Sequence, residues 1–280
     1  MGAIATPKIA SIPATGNDFI DQSHDALLRQ VRTLKEGCAA GEERAALTPE
    51  FTAFVGNVTD HFEHEETILR AIGYGGWSDH ADQHGHMVEQ MDRLVAYLAE
   101  CDCAPGFMGT VAETLDAALC QHEGRQDAAH AGLLATHSHL APGQSLVSWG
   151  DDLSTGVERV DGQHRALIDS INSLYRLSRS GALTPHEGED MLLHLLHDLQ
   201  VHFVEEEEMI RHRVSVARYL QHERHHQALE RQLGHVARLV KSGTVDLVAL
   251  TGGFLRFWLI DHIVGADRPL LLGKAAVAAE

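Results

Sequence analysis

Four side chains in the stretch HFEHEETILRAIGYGGWSDHADQH, residues 61–84, have the types and spacing of metal ligands. His61 and Glu65 stand four apart, and so do His80 and His84. On an α-helix such pairs share one face, a turn apart, so each pair aims two donors at one point. A lone HxxxE or HxxxH is more often a weak surface pair, and repetition decides between the two readings. FIDQSHDALL around His24 returns as RVDGQHRALI around His164, and DHFEHEE around His61 returns as VHFVEEE around His202. HADQH (His80, His84) returns as HERHH (His222, His226), and HEGRQD (His122, Asp127) as HIVGAD (His262, Asp267). The offsets run only from 140 to 142. Seven polar positions recurring in order mark a tandem duplication.

The candidate ligands are therefore His24, His61, Glu65, His80, His84, His122 and Asp127 in the first half. In the second they are His164, His202, Glu206, His222, His226, His262 and Asp267. Five imidazoles and two carboxylates exceed what one transition ion takes, whereas two ions sharing bridging carboxylates use all seven. Nitrogen and carboxylate without thiolate suit iron or manganese better than structural zinc. His122 and Asp127 are five apart, a rotation about 140° from alignment on a regular helix; a short Asp and a tightened helix end are expected to close that gap. His225 competes with His226, but HADQH fixes the spacing at four and favours His226. His64, His86, His130, His186, His194, His197, His212 and His235 have no counterpart in the repeat and are expected at the surface or in simple packing.

Positioning these donors requires long helices. Apolar-periodic segments such as HMVEQMDRLVAYLAE and ALERQLGHVARLVK recur, and almost nothing alternates as a strand does. Leu47-Thr48-Pro49 and Leu183-Thr184-Pro185 both read as helix starts, with Thr as N-cap and Pro in the first turn. Thr184 has Glu187 three residues on, a capping box. GYGG at 73–76 breaks the chain. The expected fold is all-α: two tandem antiparallel four-helix bundles, up-down-up-down, spanning residues 1–133 and 149–280. Residues 134–148, in a stretch carrying Gly, Pro, Ser and His, read as the linker.

Composition narrows the function. The chain has 280 residues, 21 of them His against 22 Lys plus Arg, and a formal charge of −18. That charge argues against nucleic acid and anionic membrane as partners. No apolar run looks long enough to span a bilayer, and the N-terminus lacks the pattern of a secretory signal; Gly2 and Thr6 fit only a loose myristoylation pattern. Cys38, Cys101, Cys103 and Cys120 all lie in the first half and read as free thiols in a reducing cytoplasm.

The ordered pattern H…HxxxE…HxxxH…HxxxxD, present twice, resembles that of the hemerythrins, above all bacterial hemerythrin-domain proteins. LVSWGDDLSTGVERVDGQHRALIDSINSLY is similar to the opening of such a domain, and FWLIDHIVGAD to its last ligand helix. The resemblance covers both halves and implies one non-haem di-iron centre per domain, four irons per chain, binding O2 reversibly. It places His80, His84 and His122 on one iron of the first domain and His24 and His61 on the other, bridged by Glu65 and Asp127. In the second domain it places His222, His226 and His262 on one iron and His164 and His202 on its partner, bridged by Glu206 and Asp267. An oxidoreductase acting on peroxide or nitric oxide, or an O2 or redox sensor, is the alternative.

The halves differ where O2 would sit. Leu167, Phe203, Trp258, Leu259 and Ile263 match the family's apolar pocket. Leu27, Phe62 and Leu119 are retained in the first half, but Ala118 stands at the Trp258 position and Glu123 at the Ile263 position. A carboxylate beside His122 invites water unless it turns outward to solvent. The first centre is therefore expected either to oxidise faster or to admit substrates such as peroxide.

Overall fold

A computed structural model describes residues 12–100, 106–125, 130–138 and 144–272. The first half builds α1 (Asp18–Ala40), α2 (Arg44–Ala71), α3 (Trp77–Glu100) and α4 (Phe107–Arg125). A short helix, α5 (Ala131–Ser138), occupies the join and buries Leu134. The second half builds α6 (Glu158–Arg179), α7 (Pro185–Ile210), α8 (Val216–Lys241) and a last helix, α9 (Leu247–Leu271). Among the described residues there is no strand, and the protein is a pair of all-α antiparallel four-helix bundles.

Local chemistry sets the ends. Asn17 caps α1, its Oδ1 accepting from the amides of Phe19 and Ile20 at 3.0 and 3.2 Å. Gly41 closes α1 at φ 77°, where a Cβ would be strained. The capping box of α7 forms, with Thr184 and Glu187 satisfying each other's amides. The N-cap expected of Thr48 at the matching helix start does not. Helix α2 begins a turn earlier, at Arg44, so Pro49 lies inside it rather than at its start. Proline there removes a single early hydrogen bond, and the Thr48 hydroxyl donates back to the Arg44 carbonyl instead of capping.

The hydrophobic cores do not follow the repeat. One is built from α1–α4, around Phe51, Phe54, Val58, Phe62 and Leu115. The other fills the second bundle but also takes Phe19, Ile20, Ile68 and Leu69 from the first. Phe19 stacks on Phe254 with centroids 5.0 Å apart, and His64 meets both rings edge-on. Asn17 Nδ2 donates to the Gly253 carbonyl at 2.9 Å, and the Arg70 guanidinium donates to Asp261 at 3.1–3.2 Å. A Cβ at Gly253 would fall 2.6 Å from Asn17 Oδ1, so the glycine is what allows α9 to press on the start of α1.

Helix α9 thus lies between α1 and α2 on one side and α6 on the other. It is apolar on nearly all faces, and by length and composition it could cross a membrane, contrary to the expectation that no run does. Its burial between two bundles accounts for most of that composition, with Val248 and Val264 its exposed large apolar side chains.

Candidate metal centres

In the second bundle His164 comes from α6, His202 and Glu206 from α7, His222 and His226 from α8, and His262 and Asp267 from α9. All seven are buried. Asp267 Oδ2 lies 2.9 Å from His164 Nε2 and 3.0 Å from His262 Nε2, while its Oδ1 is 3.6 Å from His222 Nε2. Glu206 Oε2 is 3.1 Å from His222 Nε2, 3.4 Å from His226 Nε2 and 3.9 Å from His202 Nε2. Each carboxylate therefore touches imidazoles on both sides of the cluster, as a bridge must.

The five-residue spacing of His262 and Asp267 is reconciled by widening the helix, not by the tightening expected from sequence. Residues Asp261–Asp267 form a π-helical turn. With i→i+5 bonding, residues five apart come onto one face, and such turns are frequent at functional sites.

This donor set fits metal. His202 Nε2 lies 3.2 Å from His164 Nε2 and 3.3 Å from His262 Nε2, so lone pairs converge where at most some can be protonated. Glu206 Oε1, His226 Nε2 and both Asp267 oxygens are buried without a well-aligned hydrogen bond. Burial alone would raise Glu206, and Asp267 beside it adds to that, yet the adjacent imidazoles of His222 and His226 hold it down at about 2. Asp267 sits well below the ordinary range because His262 and the bonds from His164 and His202 outweigh its burial. His262 is pushed down to about 4, chiefly by burial.

The first bundle brings its donors together in two groups. Glu65 Oε2 lies 3.3 Å from His80 Nε2 and 3.5 Å from His84 Nε2, and His84 Nε2 lies 2.9 Å from His122 Nε2. The second group is His24, His61 and Glu123: the carboxylate of Glu123 reaches His24 at 2.6 Å and His61 at 3.5 Å. Glu123 is 1% exposed, so it turns inward rather than to solvent. Asp127 lies outside the described residues. His130, expected at the surface or in simple packing, is also buried, and its Nε2 meets Glu65 Oε1 at 2.7 Å. The repeat could not flag it, since Leu270 stands at the matching position.

The residues expected to line an apolar pocket are buried: Leu167, Phe203, Trp258, Leu259 and Ile263 in the second bundle, and Leu27, Phe62 and Leu119 in the first. Phe62 stacks on His84 with centroids 3.8 Å apart, and Phe203 stacks on His226 at 3.7 Å. His225 is partly buried beside His262, ring centroids 5.6 Å apart, but only its neighbour His226 reaches Glu206. His64 and His235 are buried at the seam between the bundles, His235 paired with Asp60 at 2.6 Å. A cavity of about 360 Å³ between α1, α2 and α8 reaches inward as far as His61.

Sequence reasoning missed the carboxylates that orient the imidazoles. Glu66 accepts from His84 Nδ1 at 2.8 Å, and Glu207 from His226 Nδ1 at 2.7 Å. Each bond fixes the tautomer that presents Nε2 to the centre. The signal was there, because the two glutamates are themselves 141 residues apart. Replacing Glu207 with Gln is expected to weaken metal binding in the second domain by about 10- to 100-fold. A competition titration against a chelator measures this, and unchanged affinity would show the bond to be incidental.

A family model described as the hemerythrin HHE cation binding domain matches residues 15–128 and again residues 155–271. No curated protein and no solved structure matches the chain.

Proposed function

The chain belongs to the hemerythrin family, and from that premise we propose that it is a non-haem di-iron protein that binds O2 for storage, delivery or scavenging. The observation that carries this reading is the second bundle, where five imidazoles and two carboxylates converge inside an apolar shell. His222, His226 and His262 would hold one iron, His164 and His202 the other, and Glu206 and Asp267 would bridge them. When bound, the pair of ferrous irons supplies the electrons that O2 binding draws on. The protein's own part is to keep that exchange reversible. Leu167, Phe203, Trp258, Leu259 and Ile263 exclude water and free protons from the site, and Gln163 and Glu207 hold the His202 and His226 rings in place. A cytoplasmic setting suits the free thiols of Cys38 and Cys120.

Anaerobic reconstitution with ferrous iron tests the reading. We expect four irons per chain and a visible absorption that appears with O2 and disappears on its removal, cycle after cycle. Absorption that appears once and decays, with peroxide or nitric oxide consumed catalytically, would replace the carrier with a di-iron oxidoreductase. The first domain favours that second reading, because its cavity reaches a candidate ligand, His61.

A further inference from the structure

We propose that Glu123 is a metal ligand of the first centre, completing with His24 and His61 a position for which the second domain carries Ile263 at the matching residue. The assignment rests on reading both clusters as metal centres, but nothing in the repeat contains it: Glu123 falls outside the seven recurring positions.

Helix geometry is the first support. Helix α4 keeps α-helical geometry through Arg125. Adjacent residues on such a helix point about 100° apart. His122 therefore serves the His80 and His84 side, while Glu123 reaches across to His24 and His61. In the second domain the carboxylate of α9 arrives from Asp267 through a π-helical turn, and the residue after His262 is apolar. The two domains thus bring a carboxylate from their last ligand helix to the two-His position by different routes.

Burial is the second support. Glu123 is 1% exposed, with its carboxylate 2.6 Å from His24 Nε2 and 3.5 Å from His61 Nε2. One ligand atom from each of the three residues lies within 4.8 Å of the others. Sequestering a carboxylate this fully is costly unless a cation or strong donors compensate, and a divalent ion between three such donors does so. Anionic oxygen in place of a branched alkyl group also makes the first position harder as a ligand set, which suits manganese as well as iron.

The test titrates Mn²⁺ into the full chain under argon and follows free Mn²⁺ by electron paramagnetic resonance. Glu123→Gln and Glu123→Ile are compared with the unaltered chain, and far-UV circular dichroism reports folding. The unaltered chain is expected to bind four ions. Glu123→Gln should weaken one of the four at least tenfold, and Glu123→Ile, which installs the second domain's residue, should abolish it while leaving the other three. Four ions bound with unchanged affinity by both variants would overturn the assignment and leave the metal reading standing, even if a variant were less stable. Two ions bound by the unaltered chain, both lost on His262→Ala, would overturn the metal reading of the first domain and this assignment with it.

Discussion

The metal-free protein is expected to lose several kcal/mol of stability between about pH 6.5 and 4, and the metal-loaded protein to resist that loss. The sign follows from the buried imidazoles. Burial, helped by neighbouring rings, pushes His122 and His262 down to about 4 and His225 to about 3; it also depresses His84 and His64. In the unfolded chain the same groups take up protons near 6.5. Unfolding therefore binds protons throughout that window, and stability present above pH 6.5 is lost as pH falls. Each tenfold change in proton affinity between the folded and unfolded chain corresponds to about 1.4 kcal/mol, so His262 alone contributes about 3 kcal/mol. Two groups act the other way: His24 and His222 are raised, because bonds and charge from Glu123 and Glu206 outweigh burial. Their contribution is present below about 6.5 and fades as pH rises through their folded values, leaving the depressed five dominant. Below about pH 4.5 the loss continues, because the unfolded chain takes up protons at Glu206, Asp267 and Glu65 while the fold holds all three low. A bound ion adds about 4 kcal/mol per site when free metal is about 1,000 times its Kd, and protons must displace it from the same nitrogens. Urea unfolding of loaded and chelator-stripped protein at pH 7.5, 6, 5 and 4 measures both effects. Parallel pH profiles for the two forms would contradict the picture of imidazoles buried neutral and waiting for metal.

The repeat makes the fold and most of the donors legible because each ligand's position is set by helix rotation, which sequence spacing encodes directly. His80 with His84, and His222 with His226, need only a regular helix to converge, the first pair on Glu65 and the second on Glu206. Where the backbone leaves regularity, spacing misleads. His262 and Asp267 look misaligned until the π-helical turn is seen, and no residue type announces that turn. Pro49 reads as a helix start because proline is favoured there, yet Glu43 and Arg44 extend the helix back by a turn at the cost of one hydrogen bond. The seam between bundles is invisible for another reason: Phe19, Ile68 and Phe254 read as ordinary core residues of their own halves, and only tertiary packing joins them. Glu123 and His130 serve the first domain alone, so the repetition that marks the other donors passes over them.

Trp258→Ala is expected to be the most damaging single change outside the ligands, costing about 3–5 kcal/mol. Trp258 is 1% exposed and among the largest fully buried side chains, in the core that runs from the second bundle into the first. It lies one turn before His262 on α9, so the space it leaves opens beside the centre rather than at the periphery. The first domain already carries that exchange, with partly buried Ala118 at the corresponding place. The variant therefore does to the second centre what the repeat did to the first, without adding a carboxylate. Metal should still load, since all seven donors remain, while the visible O2 absorption should survive fewer cycles as water enters. Trp258→Phe keeps most of the volume and drops an indole N–H that has no partner among the described residues. It should lose less than half as much stability and retain cycling. Urea midpoints give the first quantity and repeated oxygenation the second. If both variants cycled like the unaltered protein, water exclusion by Trp258 would have no part in reversibility. If instead only Trp258→Ala failed, the volume of this one side chain would separate the behaviour of the two domains independently of Glu123.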